Sequence, residues 1–264
     1  MYDTVSYHIM ELLSRNGVQH VFFVPGGGNM FLVDAAGRHP NIQTIATHHE
    51  QAAVIAAEAY SRMTNNFGVA LVTTGPGGTN GVTGIAGAWL DSIPLLIISG
   101  QVKLDDINFD NSLRQKGPQE ISIVDISKPI TKQAILLKDS DKFLEKLSDL
   151  IQVAISERPG PVLFDVPLDI QSKKLNITHN KVKIQKKVSS KINDDKFHLF
   201  FERLKKSKKP LFLLGHGVKN SNSTKNLKRF IFENDIPVSL TWPMADFIED
   251  KHFLNTGRPG VVAT

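Results

Sequence analysis

The chain has 264 residues, a formal net charge of +5 and a hydrophobic content of 41%. It contains no cysteine, which excludes disulfides, thiolate metal ligands and a cysteine nucleophile. No apolar run is long enough to cross a membrane, so we expect a cytoplasmic protein without a membrane partner. The excess of lysine is concentrated between Lys173 and Lys209. That concentration predicts a basic linker with solvated helix faces and no nucleic-acid partner.

Short apolar strands and amphipathic helices alternate along the first two thirds of the chain. A helix is predicted at 3–16, where apolar residues recur at helical spacing. Further strands and helices are predicted in turn at 18–24, 29–37, 41–47, 50–63, 69–74, 79–90, 94–99, 140–157 and 160–167. The strands are continuously apolar, which is typical of strands covered on both sides. The sequence therefore predicts an α/β fold, a doubly wound parallel sheet with helices on both faces.

Changes in composition divide the chain into three predicted parts. Residues 1–170 form the α/β domain, and residues 171–194, rich in lysine, serine and asparagine, form a basic linker. Residues 195–264 alternate again between helix and strand, which predicts a partial second α/β domain. Residues 101–120 show no clear periodicity, so we expect a long functional loop there.

Glycine-rich or polar segments follow four predicted strands of the first domain. These segments are Pro25-Gly26-Gly27-Gly28, His48-His49-Glu50, Gly75 to Asn80, and Gly100-Gln101. In a doubly wound sheet, ligands bind beyond the carboxyl ends of the strands. Glycines in such a place let the backbone approach a ligand closely. The four segments together predict one binding site.

Each candidate residue also has a purely structural interpretation. Glu50 begins a helix, where a carboxylate offsets the helix dipole. Pro25 to Gly27 can be a plain strand-to-helix turn, and Asn80 can cap the following helix. Gln119 can be a solvated loop residue. The convergence of the four segments favours the functional interpretation of Glu50, while these alternatives stay open for the other residues.

The first domain resembles the pyrimidine-binding domain of enzymes that depend on thiamine diphosphate, in particular the acetolactate synthase group. The matching stretches are Val24-Pro25-Gly26-Gly27, His49-Glu50-Gln51-Ala52-Ala53, Ala56-Ala57-Glu58-Ala59-Tyr60, Gly75-Pro76-Gly77-Gly78-Thr79-Asn80, Asp91-Ser92-Ile93-Pro94, Ser99-Gly100-Gln101-Val102 and Gln119-Glu120. Residues 196–264 resemble the first third of the central domain of that family. In acetolactate synthase this domain carries a flavin, so FAD is a candidate second cofactor.

The resemblance implies that Glu50 is the catalytic residue. It would bind N1′ of the aminopyrimidine of thiamine diphosphate in a dry pocket and hold a proton there. The resemblance places Pro25, Gly26 and Gly27 near the pyrimidine ring or the substrate. Asn80 would contact the bound ligand, and Gln119 would face it. The implied substrate is a 2-keto acid such as pyruvate.

Two departures from the family pattern restrict the prediction. Lys116 and Pro118 stand where acetolactate synthases have an aspartate and a phenylalanine, so a related decarboxylase or carboligase is at least as well supported as an acetolactate-forming enzyme. No Gly-Asp-Gly is present, although the family holds its Mg²⁺ and diphosphate with that motif. We therefore expect the metal ligands outside this chain segment, in a longer polypeptide or another subunit. The active site would lie between the chains of a homodimer or tetramer, and the isolated segment would have little or no turnover.

Two other classes of protein share parts of this pattern. A nicotinamide oxidoreductase shares the architecture but needs a glycine fingerprint after the first strand, and Pro25-Gly26-Gly27-Gly28 lacks that spacing. A non-catalytic remnant or regulatory subunit would keep the fold without the diphosphate-binding half. Substitution of Glu50 distinguishes this last class from an enzyme.

Overall fold

The computed structural model describes residues 3–110, 112–176 and 194–260. The chain divides into two compact units, Met1–Ser189 and Ser190–Thr264. The first unit continues past the predicted boundary at residue 170, because the amide of Val5 donates to the carbonyl of Lys173 at 2.9 Å. Most of the predicted linker, residues 177–193, lies outside the described residues.

The first unit contains six strands and eight α-helices among its described residues. The strands are β1 (His20–Phe23), β2 (Gln43–Ala46), β3 (Gly68–Val72), β4 (Leu95–Gln101), β5 (Gln133–Leu136) and β6 (Pro161–Pro167). The helices are α1 (Val5–Arg15), α2 (Met30–Arg38), α3 (Glu50–Thr64), α4 (Pro76–Asn80), α5 (Val82–Asp91), α6 (Ile123–Ser127), α7 (Phe143–Ile155) and α8 (Leu168–Gln171).

All six strands are parallel and form one sheet in the order β2-β1-β3-β4-β6-β5. The central strands β3, β4 and β6 are buried along their whole length. Their continuous runs of Val, Leu and Ile are the reason, because each face of a doubly wound sheet is covered. The predicted fold class is thus confirmed. The edge strand β5 and the short helices α4 and α6 did not appear in the sequence pattern.

Two apolar cores lie on opposite faces of the sheet. One core joins α1, α2 and α7 to the sheet, with Leu12, Leu32 and Leu147 fully or almost fully buried. The other joins α3 and α5, with Val54 and Ile85 fully buried. Burying a side chain of this size contributes about 1.5–3 kcal/mol, so these contacts hold both helix layers on the sheet.

The connection between strands changes direction in the middle of the sheet. β2, which follows β1 in the chain, lies on one side of β1 in the sheet. β3 lies on the other side of β1, and β4, which follows β3 in the chain, lies beyond β3. The segments that leave β1 and β3 therefore run to opposite faces, and a crevice opens between them at the carboxyl ends of the strands. Doubly wound sheets bind ligands at such a switch point.

The second unit contains a two-stranded parallel sheet in its described part. Its elements are α9 (Asp194–Lys206), β7 (Phe212–Leu214), α10 (Gly217–Asn220), α11 (Thr224–Glu233) and β8 (Val238–Leu240). Leu214, Ile231 and Leu240 lie in its small apolar core. No helix of the described residues in either unit is long and apolar enough to cross a membrane.

Candidate cofactor site

Glu50 is a buried carboxyl group at the first position of α3. The preceding residue, His49, is extended, and its Nδ1 accepts a hydrogen bond from the Gln51 amide at 3.2 Å. This cap begins the helix at Glu50 and turns that side chain toward the sheet, where it is only 8% exposed. His49 itself is exposed. The site therefore has one buried acid next to an exposed histidine.

Asn80 holds one oxygen of that acid. Its Nδ2 donates to Oε2 of Glu50 at 2.9 Å. Among the described residues, Asn80 is the hydrogen-bond partner of the Glu50 side chain, and Oε1 has none. A carboxyl group with one oxygen fixed and the other open is suited to bind a ligand atom through the open oxygen.

Thr73, which follows β3, packs the glycine-rich segments against each other. Its Oγ1 accepts a hydrogen bond from the amide of Gly28 at 3.0 Å. A Cβ atom on Gly26 would lie 2.6 Å from the Thr73 side chain, and one on Gly77 would lie 2.5 Å from its Cγ2 and 3.2 Å from Oε1 of Glu50. Glycine is thus required for the segments after β1 and β3 to approach this closely. Sequence reasoning missed Thr73, although its position at the end of a buried strand could have indicated it.

Gln119 reaches the same edge of the sheet from the long loop. Gln119 has a φ of 62°, and a Cβ on Gly75, whose own φ is 64°, would lie 2.2 Å from the Gln119 carbonyl oxygen. The two backbones therefore touch, while the Gln119 side chain is exposed. The conformation is held by the next residue, Glu120, whose carboxylate accepts hydrogen bonds from the amides of Asn108, Lys116 and Gly117.

The environment of Glu120 explains the order of the loop. Partial burial opposes its ionisation, but the three backbone amides outweigh that effect and lower the pKa of the Glu120 carboxyl group. Glu120 is therefore ionised at neutral pH and closes the segment from residue 108 to 120. The predicted irregular loop is thus compact at its base, where the Gln119 backbone meets Gly75.

The predicted site residues occupy one edge of the sheet but play different parts. Glu50 and Asn80 are in direct contact, and Gly26 and Gly77 meet at Thr73. Pro25 and Gly27 are exposed in the segment after β1, and nothing lies within 4 Å of a Cβ added to Gly27. The surface above Gly27 is therefore open space that a ligand could fill.

A buried polar pair lies below this edge and was not predicted. Asp165 of β6 is 1% exposed, and its Oδ2 accepts from Nε2 of Gln101 at 3.0 Å. The same Nε2 donates to the carbonyl of Ile121 at 3.0 Å. Burial raises the pKa of Asp165 to about 7, although hydrogen bonds from Gln101 and Ser99 act in the opposite direction.

A second group of polar atoms lies at the carboxyl ends of β7 and β8. The Thr241 amide donates to the Leu214 carbonyl, and the Leu240 amide donates to the Gly257 carbonyl, both at 3.0 Å. Oγ1 of Thr241 and Nε of Arg258 are buried and have no hydrogen-bond partner among the described residues. The Arg258 guanidinium also lies 5.7 Å from the centre of the exposed Trp242 ring. These groups form the candidate ligand-binding edge of the second unit.

Nowhere in the described ranges, 3–110, 112–176 and 194–260, do three His, Asp or Glu side chains meet in a way that could hold a metal ion. The candidate site is thus an acid, an amide and a set of close-packed glycines. Its donors suit a neutral nitrogen heterocycle, because an amide and a carboxyl group recognise ring nitrogen and amino groups by hydrogen bonds.

Comparison with known proteins identifies the family. Residues 3–126 match the family model described as "Thiamine pyrophosphate enzyme, N-terminal TPP binding domain", and residues 199–264 match "Thiamine pyrophosphate enzyme, central domain". The chain belongs to the thiamine pyrophosphate enzymes. The predicted resemblance to this family is thereby confirmed.

Relatives of this thiamine pyrophosphate enzyme chain include several acetolactate synthases. The large subunit of Buchnera aphidicola subsp. Schizaphis graminum is 36% identical over 88% of this chain and 40% of its own length. The large subunit of Lactococcus lactis subsp. lactis is 33% identical over 96% and 43%. The chloroplastic enzyme of Arabidopsis thaliana is 36% identical over 88% and 34%. The chain therefore spans less than half the length of these relatives.

Proposed function

We propose that the protein to which this chain belongs uses thiamine diphosphate to decarboxylate a 2-keto acid such as pyruvate, and that Glu50 binds the aminopyrimidine of the cofactor. The observation that carries the proposal is the Glu50 carboxyl group itself. It is buried, Asn80 fixes one oxygen, and the other oxygen has no hydrogen-bond partner among the described residues. The relatives named acetolactate synthase support a keto-acid substrate of this kind.

The residues of this chain would prepare the cofactor for its reaction. Bound thiamine diphosphate supplies a nucleophilic carbon and an acceptor for the electron pair that decarboxylation releases. Oε1 of Glu50 would exchange a proton with N1′ of the pyrimidine, and the Asn80 amide keeps Oε2 from turning away. Because Glu50 is 8% exposed, bulk water competes little for that proton.

The other predicted residues would line the space around the cofactor. Pro25, Gly26 and Gly27 would lie against the pyrimidine or the substrate, since the surface above Gly27 is open. Gln119 would face the substrate from the opposite side of the crevice, because its side chain is exposed at the same edge. Lys116 and Pro118 stand on the same loop and support a carboligase or decarboxylase whose acceptor differs from that of acetolactate synthase.

Mg²⁺ and the diphosphate would be held by residues outside this segment, and the active site would lie between two chains of a homodimer or tetramer. An exposed apolar surface on the helices that cover one face of the sheet supports this assembly. Ile55 of α3 is 45% exposed and Leu90 of α5 is 73% exposed, on helices that pack side by side. Sedimentation tests the proposal: Leu90→Glu should dissociate the complete protein, whereas Phe31→Glu on α2, which covers the opposite face of the sheet, should not.

We also propose that the second unit binds FAD, the candidate second cofactor, at its candidate ligand-binding edge. The buried Oγ1 of Thr241 and Nε of Arg258, both without a partner among the described residues, support a polar ligand there. Visible absorbance of the purified complete protein tests this directly. A flavin spectrum that Thr241→Val weakens supports the proposal, and a protein that stays colourless after incubation with FAD contradicts it.

The central experiment uses Glu50→Gln in the complete protein with thiamine diphosphate, Mg²⁺ and pyruvate. Loss of a positioned acid–base group lowers kcat by roughly 10²–10⁴-fold. Glu58→Gln is the matched control, because Glu58 lies two turns further along the same helix and pairs with Arg62. Equal carbon dioxide release by the wild type and Glu50→Gln would contradict the role of Glu50, whereas no release by the wild type would favour a non-catalytic protein.

A further inference from the structure

We infer, relying on the proposed function for the identity of the site, that Asp165 is a positioning residue whose neutral carboxylic acid holds the segment of residues 119–123 against the cofactor site, and that its ionisation loosens this segment. Asp165 meets the predicted site at Gln101, a residue of one of the four predicted segments. It would act through Gln101, which joins it to the carbonyl of Ile121.

The connection from Asp165 to the site is short and continuous. Nε2 of Gln101 donates to Oδ2 of Asp165 and to the Ile121 carbonyl, each at 3.0 Å, and its Oε1 accepts from the Val102 amide. Ile121 lies two residues after Gln119, whose backbone is pressed against Gly75. Two residues further on, Ile123 packs on Gly78, where a Cβ atom would approach its Cγ1 to 2.9 Å. Both contacts are with the segment from Gly75 to Asn80, which ends at the partner of Glu50.

The surroundings of Asp165 favour the neutral acid. Strand pairing places it opposite Ser99 of β4 and Leu136 of β5. The side chains of Gln101 and Ser99 act on its carboxyl group, and among the described residues no cation pairs with it. Its Oδ1 is buried and has no hydrogen-bond partner in the part of the chain that the structure describes. A buried carboxylate in such a place is costly, and protonation removes the charge.

Ionisation would act on the segment through the same groups. Burial raises the pKa of Asp165 to about 7, so the acid ionises within the physiological range. A charged Asp165 gains most by reaching water. Movement of Asp165 toward water would break its hydrogen bond with Gln101, which also holds the Ile121 carbonyl, and would loosen residues 119–123 from the turn at Gly75. This loosening of residues 119–123 does not depend on the cofactor, so it can be measured in the protein before cofactor is added.

Hydrogen exchange of the complete protein without cofactor tests this inference. If opening restores an ordinary pKa to Asp165, protection of residues 119–123, corrected for intrinsic exchange, should fall about tenfold between about pH 6 and pH 8.5. In Asp165→Asn the protection should not change with pH. Asp139→Asn, at an exposed helix cap, should behave like the wild type. Gln101→Leu should lose protection at every pH, because it removes the bridge and keeps the acid.

The activity of Asp165→Asn distinguishes this inference from the proposed function. With cofactor, the half-saturating concentration of thiamine diphosphate should rise with pH in the wild type and stay level in Asp165→Asn, while kcat at saturation is similar. Wild-type protection that does not change with pH would overturn the inference and leave the role of Glu50 untouched. If Glu50→Gln loses activity while wild-type protection at residues 119–123 does not change with pH, the proposed function holds and the inference about Asp165 is wrong.

Discussion

The segment after β1 and strand β4 approach each other so closely that one added methyl group should disturb the floor of the site. A Cβ atom on Gly100 would lie 2.0 Å from the Gly28 carbonyl oxygen and 2.3 Å from its carbon. Ordinary contact needs a separation larger by more than about 1 Å, and backbone cannot swing aside as a side chain can. We therefore expect Gly100→Ala to displace the Gly28 peptide.

The cost of that displacement follows from what Gly28 contacts. Its carbonyl accepts from Nε2 of Gln171 at 2.7 Å, and its amide donates to Oγ1 of Thr73 at 3.0 Å. Overpacking costs about 1–3 kcal/mol, and weakening two hydrogen bonds adds roughly 1 kcal/mol for each. The free energy of unfolding should therefore fall by about 3–5 kcal/mol.

Urea unfolding of the complete protein measures this loss. Gly27→Ala is the matched control, because nothing lies within 4 Å of a Cβ added there. It should change the free energy of unfolding by less than about 1 kcal/mol, as surface substitutions usually do. A Gly100→Ala protein as stable as Gly27→Ala would refute the close approach of β4 to the segment after β1.

Three further predictions concern single side chains. Between pH 4 and pH 7 the unfolded chain loses the Asp165 proton while the folded chain keeps it, so the free energy of unfolding should decline by up to about 4 kcal/mol as pH rises. Urea unfolding at several pH values should show this decline in the wild type and not in Asp165→Asn. Asn80→Ala should raise the half-saturating concentration of thiamine diphosphate in a titration of the complete protein, because Oε2 of Glu50 loses its partner, and an unchanged value would contradict this. His49→Ala should lower the free energy of unfolding, measured in urea, by about 1 kcal/mol through loss of the α3 cap, whereas His48→Ala should leave it unchanged.

The sequence predicted those parts of the fold that depend on local pattern. The buried strands β3, β4 and β6 have continuous apolar runs, and α3 begins at Glu50 because His49 caps it. β5 was missed because Gln133–Leu136 is a short edge strand, exposed or only partly buried. A pattern of this kind is weaker than that of a central strand.

The contacts that were missed in the site depend on tertiary structure. Thr73 meets Gly26 and Gly77 only when the segments after β1 and β3 leave the sheet side by side. Asp165 and Gln101 are 64 residues apart, and the pairing of β4 with β6 brings them together. Local pattern cannot show such pairs. The resemblance assigned both Glu50 and Asn80 to the predicted site, but it gave Asn80 a contact with the ligand and not the hydrogen bond to Glu50.

Exchange of the C2 proton of thiamine diphosphate, followed by NMR in the complete protein with Mg²⁺, tests the role of Glu50 most directly. The measurement needs no substrate, so it does not depend on the identity of the keto acid. Wild-type protein and Glu58→Gln should accelerate the exchange relative to free cofactor, and Glu50→Gln should be slower than both by roughly 10²-fold or more. Exchange in Glu50→Gln as fast as in the wild type would contradict the assignment of Glu50 to the pyrimidine.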